Sequence, residues 1–417
     1  MATQQTDTAP VVIVGAGLAG AKTAERLRAD GHTGPITLIG AEGHLPYERP
    51  PLSKEYLAGK KELADFTVHE RSWYEEKSVE LRLGTVVTTV DTAAKTVTLA
   101  GGEQLAYSAL VLATGSRAAT PPIPGAGSDG VYTLRTVDDA QRLIAALGEG
   151  SRLAIVGGGW IGLEVAAGAR GRGAEVAVVE AAPQPLHAAM GPELGKVFAD
   201  LHRRHGVDLH LDARVEEITV AGNTATGLRL AGGTEIAADA VLIAVGARAE
   251  TSLAEAAGIA VENGGVRVDS GLRTSAADVY AVGDIAAAEH PRYGVRIRTE
   301  HWANALNQPA VAAANITGDT AVYDRLPYFF TDQYELGMEY RGRAAGYTRV
   351  VTRGDVDALE FLAFWLDDAG RVLAAMNVGI WDAGDDIAAL IGAGTPVDAD
   401  RLADPSVPLA DLLETGV

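Results

Sequence analysis

A chain of 417 residues, 47% apolar and 22% charged, is too long for one hydrophobic core and has an ordinary globular balance. Its net charge of −20 argues against nucleic acid and against an anionic membrane surface as partners. The absence of cysteine excludes a disulfide, a thiolate zinc site, a cysteine-ligated iron–sulfur cluster and a redox-active dithiol.

The opening residues Met1–Thr8 carry no basic segment and no apolar run, so no secretory signal is expected and the compartment reads as cytoplasmic. No stretch approaches 18 apolar residues, so no membrane span is expected. Val11, Val12, Ile13 and Val14 suit a strand buried on both faces of a parallel sheet. Gly15, Gly17 and Gly20 follow at the spacing that turns a strand sharply into a helix and brings backbone close to a pyrophosphate. The spacing predicts a helix through Lys22 to Arg28, its free N–H groups aimed at phosphates. A second strand, Ile36–Ile39, comes at βαβ distance, and Glu42 just beyond it is a candidate for a ribose hydroxyl.

Paired prolines fix the loop Pro46–Lys54, which brings Arg49 and Lys54 toward the first ligand. Short strands are expected at Leu81–Leu83 and Thr96–Leu99, with a turn at Gly101 and Gly102. Another buried strand starts at Ala109 and ends in Ala113, Thr114 and Gly115, small residues that let a ligand pass close to the backbone. The proline-rich run Thr120–Gly125 reads as a linker.

Beyond the linker the opening pattern repeats. Leu153–Val156 is a strand, Gly157, Gly159 and Gly162 form the turn, and Leu163 to Arg172 a helix. The strand Glu175–Val179 then ends in Glu180, at about the twenty-residue spacing expected of a ribose-binding acid. Two such units indicate two dinucleotide sites. A helix is expected near Gly191–His205, where His202 and His205 read as a solvated face rather than as metal ligands, and no metal site is expected. The unit closes on a strand through Ala240 to Val245 and Gly246, echoing the small-residue end at Gly115.

The stretch Thr274 to Asp284 reads as a strand ending in an acid at a helix N-terminus, where the Asp284 carboxylate can accept from ligand hydroxyls. Arg292, Arg296 and Arg298 crowd one segment and offer a local basic patch. From about Leu326 the pattern changes to antiparallel strands, including Leu359–Trp365 and Val372–Val378, then a helix over Asp385–Ile391.

Gly15–Gly20, Arg49–Lys54 (RPPLSK), Ala113–Gly115, Gly157–Glu164, Tyr280–Asp284 and Phe329–Tyr334 (FFTDQY) occur in the order found in one family. The chain resembles the FAD-dependent ferredoxin reductases of bacterial oxygenase systems. The resemblance implies an α/β fold of glutathione-reductase type, with two Rossmann-like domains for FAD and NAD and a C-terminal α+β domain. The FAD domain would span 1–117 and 248–326, the NAD domain 118–247, and the last domain 327–417. By position, Gly15, Gly17, Gly20 and Glu42 would hold the ADP half of FAD. Arg49 and Lys54 would lie at its pyrophosphate and ring, with Val86, Ala113, Thr114, Gly115, Arg135, Asp284, Glu300 and Trp302 completing the pocket. Gly157, Gly159, Ile161, Gly162, Glu164, Glu180 and Gly246 would line the nicotinamide nucleotide. Lys54 and Glu164 would form an ion pair beside the flavin, and Phe330 stands where the family often has tryptophan. Ala310 replaces a commonly basic residue.

The implied activity is transfer of electrons from NADH through FAD, singly, to a [2Fe–2S] ferredoxin serving a cytochrome P450 or ring-hydroxylating oxygenase. A monomer or weak dimer is expected. An NADH oxidase, a quinone or radical reductase without a protein partner, and a redox-responsive binding flavoprotein remain open. NADH should be preferred, because Glu180 repels a 2′-phosphate and no Arg or Lys lies in Ala181–Pro185 to neutralise one.

Overall fold

The computed structural model describes residues 9–413, so Met1–Thr8, where no secretory signal is expected, lie outside the described residues. Among the described residues no helix is long and apolar enough to cross a membrane. The chain forms two compact units. One gathers the residues up to Pro50, Lys61–Arg117 and Ala247–Arg325; the other gathers Pro51–Lys60, Ala118–Gly246 and the residues from Leu326 on.

The first unit is built on a parallel sheet ordered Val279–Ala281, Ala109–Leu112, Val11–Val14, Ile36–Ile39, Val79–Arg82. Val11–Val14 is its central strand and all four residues are buried, as a run of apolar side chains with no polar face requires. The helix Leu18–Ala29 buries Ala21, Ala24 and Leu27 in this unit's core. Thr96–Leu99 pairs antiparallel with Gln104–Ala106 across the Gly101–Gly102 turn.

The second unit repeats the arrangement: Asp208–His210, Glu175–Val179, Arg152–Val156, Ala240–Ile243 and Val131–Tyr132 form a parallel sheet in that order. It also contains an antiparallel sheet ordered Tyr328–Gln333, Leu336–Gly342, Val372–Val378, Glu360–Leu366, Arg349–Asp355. Strand Glu360–Leu366 is buried on both faces. Phe361, Ala363 and Trp365 join Met190, Phe198 and Leu201 of the helix His187–Arg204 in one core. Leu362, Phe364 and Leu366 instead meet Ile387, Leu390 and Ile391 of the helix Gly384–Ala393 in another. The alternation is therefore between two cores, not between core and water.

The helix expected near Gly191–His205 begins earlier, at His187, and is interrupted at Gly191, whose φ of 79° breaks the turn just before Pro192. Its face also departs from expectation. His202 is fully buried, so it does not belong to a solvated face; the apolar stripe of Leu194, Phe198 and Leu201 carries it inward.

Candidate functional site

In the first unit, Gly15 turns the chain with φ +113°, and a Cβ there would stand 2.1 Å from the Ala113 carbonyl oxygen. A Cβ at Gly20 would meet the Gly15 carbonyl oxygen at 1.9 Å, so helix and turn touch only because Gly20 has no side chain. Gly17 differs: nothing lies within 4 Å of where its Cβ would be. It is also the N-cap of Leu18–Ala29, which has no side-chain cap and no acid in its first turn. Its open N–H groups and clear approach suit an anionic pyrophosphate.

Glu42 lies beyond the second strand, accepting from Tyr47 Oη at 2.5 Å and from Arg49 at 2.8 Å. Burial works against the Arg49 charge, but Tyr47, Glu42 and Asp284 outweigh it and hold the guanidinium above its ordinary pKa. Asp284 is buried and accepts from Ser116 Oγ at 2.6 Å. The adjacent Gly283 N–H donates to Gln308 Oε1 at 2.7 Å. Trp302 Nε1 donates to Glu48 at 3.1 Å, and Glu300 pairs with Arg298 at 2.6 Å. Thr114 Oγ1 donates to the Glu250 carbonyl, beside Ala113 and Gly115 at the end of their strand. Val86 is left exposed. All of these lie in the first unit, whereas Arg135 belongs to the second.

The second unit repeats the glycine geometry. Gly157 has φ +109°, a Cβ at Gly162 would stand 2.2 Å from the Gly157 carbonyl oxygen, and Gly159 again has open space. The helix Trp160–Gly171 starts on Gly159 with no side-chain cap and no acid in its first turn. Glu180 is already oriented, accepting from the Gly158 N–H at 2.7 Å and the Ala182 N–H at 2.8 Å. Ile161 and Gly246 flank this turn, Ile161 exposed and Gly246 with no atom within 4 Å of a Cβ position.

On the same helix sits Glu164, and here three segments of the second unit converge. Lys54 Nζ stands 2.8 Å from Glu164 Oε1, with the two side chains 8% and 6% exposed. Ser53 Oγ donates to Oε2 at 2.5 Å and Thr331 Oγ1 donates to Oε1 at 2.6 Å. Lys54 Nζ also lies 5.2 Å from the Phe330 ring centroid. The expected ion pair is therefore present, and Phe330 covers its cation. Ser53, Thr331 and Gln333 were not among the expected site residues, although all three lie inside the RPPLSK and FFTDQY segments. Period-two alternation along Tyr328–Gln333 was the available signal, since it puts Thr331 and Gln333 on one face.

The basic patch expected of Arg292, Arg296 and Arg298 is largely compensated. Arg296 meets Glu262 and Glu289, and Arg298 meets Glu300. His205 pairs with Glu335 at 2.8 Å and stacks on Tyr334. Among the described residues no group of three or more His, Cys, Asp and Glu could hold a metal ion.

Residues 9–309 match the pyridine nucleotide-disulphide oxidoreductase family, and 328–413 match a reductase C-terminal domain. The chain is 41% identical to the ferredoxin–NAD(+) reductase component of the anthranilate 1,2-dioxygenase system of Burkholderia cepacia, covering 97% of this chain and 99% of that one. It is 35% identical to putidaredoxin reductase of Pseudomonas putida over 97% and 96% of the two chains. Its structure superposes on that of putidaredoxin reductase in a covalent complex with putidaredoxin with a TM-score of 0.92, at 34% identity, covering 98% and 99%.

Proposed function

We propose, from the premise that this chain belongs to the pyridine nucleotide-disulphide oxidoreductases in their ferredoxin reductase form, that Lys54 and Glu164 are the charge pair of its electron-transfer site. The enzyme is an FAD-dependent NADH:ferredoxin oxidoreductase. Its acceptor is read as a [2Fe–2S] ferredoxin serving an oxygenase in the cytoplasm, and the protein as a monomer or weak dimer.

The residues support a division of labour. Residues 1–117 and 248–326 hold FAD, 118–247 hold NADH, and 327–417 contribute Phe330 and Thr331. The space at Gly17 and Gly159 admits the two pyrophosphates, and the uncapped helix ends supply N–H donors. Glu42 and Glu180, each oriented by two neighbours, present their remaining lone pairs to ribose hydroxyls. When bound, FAD supplies the chemistry that converts a two-electron donor into one-electron deliveries.

Lys54 supplies a fixed positive charge where electron density arrives. Glu164 holds that ammonium in place, and Ser53 and Thr331 hold Glu164. A preorganised charge of this kind costs no reorientation as the electrons move. Phe330 retains an aromatic face without an indole donor.

The observation that carries this reading is the buried pairing of Lys54 with Glu164, the latter on the helix that starts at the second nucleotide turn. Stopped-flow reduction of Lys54→Met at saturating NADH tests it. The limiting rate should fall at least roughly tenfold while the NADH dependence changes little, because the charge acts mainly as electrons arrive. An unchanged limiting rate would remove Lys54 from the site.

A further inference from the structure

Behind Thr331 the hydrogen bonding does not stop. Gln333 Nε2 donates to Thr331 Oγ1 at 3.2 Å, and Gln333 Oε1 lies 2.9 Å from His202 Nε2. Thr331, Gln333 and His202 are all essentially without solvent contact, so protein groups rather than bulk water must satisfy them.

We propose that His202 is a positioning residue for Glu164, acting through a one-directional chain, His202 to Gln333 to Thr331 to Glu164, that requires the Nε2–H tautomer. The direction is set from the carboxylate outward. Glu164, paired with Lys54, only accepts. Thr331 has one hydroxyl proton and gives it to Glu164 at 2.6 Å, so its oxygen must accept from behind. The group facing that oxygen must then be the Gln333 amide nitrogen. This turns the amide oxygen toward His202, and an oxygen there accepts only if Nε2 carries the proton.

A second observation agrees. His202 Nδ1 is buried with no hydrogen-bond partner, which a lone pair tolerates better than an N–H. Burial also holds the imidazole near pKa 4, so near neutral pH it has one ring proton to place. The ring is braced by Tyr334, centroids 5.2 Å apart at 66°, which limits its freedom to turn. Three elements are thereby tied to one carboxylate: the helix His187–Arg204, the strand Tyr328–Gln333 and the helix Trp160–Gly171.

The alternative is that His202 only satisfies a buried amide, with no influence on Glu164. The proposal rests on the reading of Lys54–Glu164 as the reaction site, so Lys54→Met is carried as a control. In FAD-loaded protein, His202→Gln puts an amide donor where Nε2–H stands, His202→Asn puts it near Nδ1, and His202→Phe fills the space without a donor. The Phe and Asn variants should lower the limiting rate of NADH reduction by about tenfold with the NADH dependence and FAD content held, while Gln stays within about twofold. Long-range 1H–15N spectra of the 15N-histidine-labelled wild type, with the His202 signals identified by their loss in His202→Gln, should show Nε2–H. An Nδ1–H tautomer or an imidazolium at neutral pH would overturn the chain of donors whatever the kinetics. A normal rate in His202→Phe beside a slowed Lys54→Met would overturn the positioning role. If both keep the normal rate, the reaction-site reading fails and the positioning role falls with it, while the tautomer separately decides the donor chain.

Discussion

The Glu180 carboxylate, proposed to meet the adenosine ribose, is already aimed by two backbone N–H groups. A fixed carboxylate discriminates sharply, because a 2′-phosphate brought against it cannot make it swing aside. kcat/KM should therefore favour NADH over NADPH by at least roughly a hundredfold, about 3 kcal/mol of discrimination. Gln184 packs against Gly195, whose Cβ would stand 2.9 Å from the Gln184 Cβ, so an arginine there starts from under a helix. Ala181 is exposed beside Glu180, and Glu180→Ala with Ala181→Arg should move the ratio toward NADPH in steady-state assays. His202 makes a separate, thermodynamic prediction. Burial lowers its pKa from 6.5 to about 4, so the unfolded chain takes up a proton at a pH where the folded chain does not. This contribution to stability is whole above about pH 6.5 and shrinks as the pH falls toward 4, by at most roughly 3 kcal/mol. Urea midpoints at pH 7 and pH 4.5 should separate by less in His202→Gln than in wild type. Equal separations would show that the acid sensitivity lies elsewhere.

Within each glycine turn some residues are crowded by backbone and others face open space, and substitution should expose the difference. Gly20→Ala forces a Cβ to within 1.9 Å of the Gly15 carbonyl oxygen, between backbone segments that cannot yield. It should lower the melting temperature of the flavin-free protein by several degrees or prevent folding, consistent with a cost of a few kcal/mol. Gly17→Ala meets nothing and sits at φ −89°, so melting should hold while FAD content after purification falls. Equal FAD content in Gly17→Ala and wild type would show that the ligand does not approach there. These turns were legible because everything that makes them is local: β-branched runs, three glycines, and an acid at about the twenty-residue spacing. The strands Glu175–Val179 and Val372–Val378, in separate sheets, were legible for the same reason. The surroundings of Glu164 were not, since Ser53 is 111 residues away and Thr331 is 167 residues away. The His202 and His205 pair, three residues apart, suggests a solvated helix face, while the stripe that buries His202 needs a sheet formed over a hundred residues later.

At the scale of the molecule, the charge of −20 sets how an acidic acceptor would approach. Arg296 and Arg298 are spent on Glu262, Glu289 and Glu300, and Ala310 adds no cation. The second-order rate with an acidic ferredoxin should fall less than about tenfold between low salt and physiological ionic strength, where the screening length is about 8 Å. A steeper fall would reveal a steering patch. The meeting of distant segments at Glu164 also bears on how the protein is made. A ribosome adds about 5–20 residues per second, so the 167 residues between Glu164 and Thr331 represent on the order of ten to thirty seconds of synthesis. For that interval Lys54 and Ser53 exist, but the strand that completes their setting does not. Leu163, Met190 and Phe198 likewise wait for Met338, Phe361 and Trp365 to cover them. A nascent chain halted in this window exposes sticky helices, so expression without chaperone support should leave truncated, insoluble fragments ending before the last sheet.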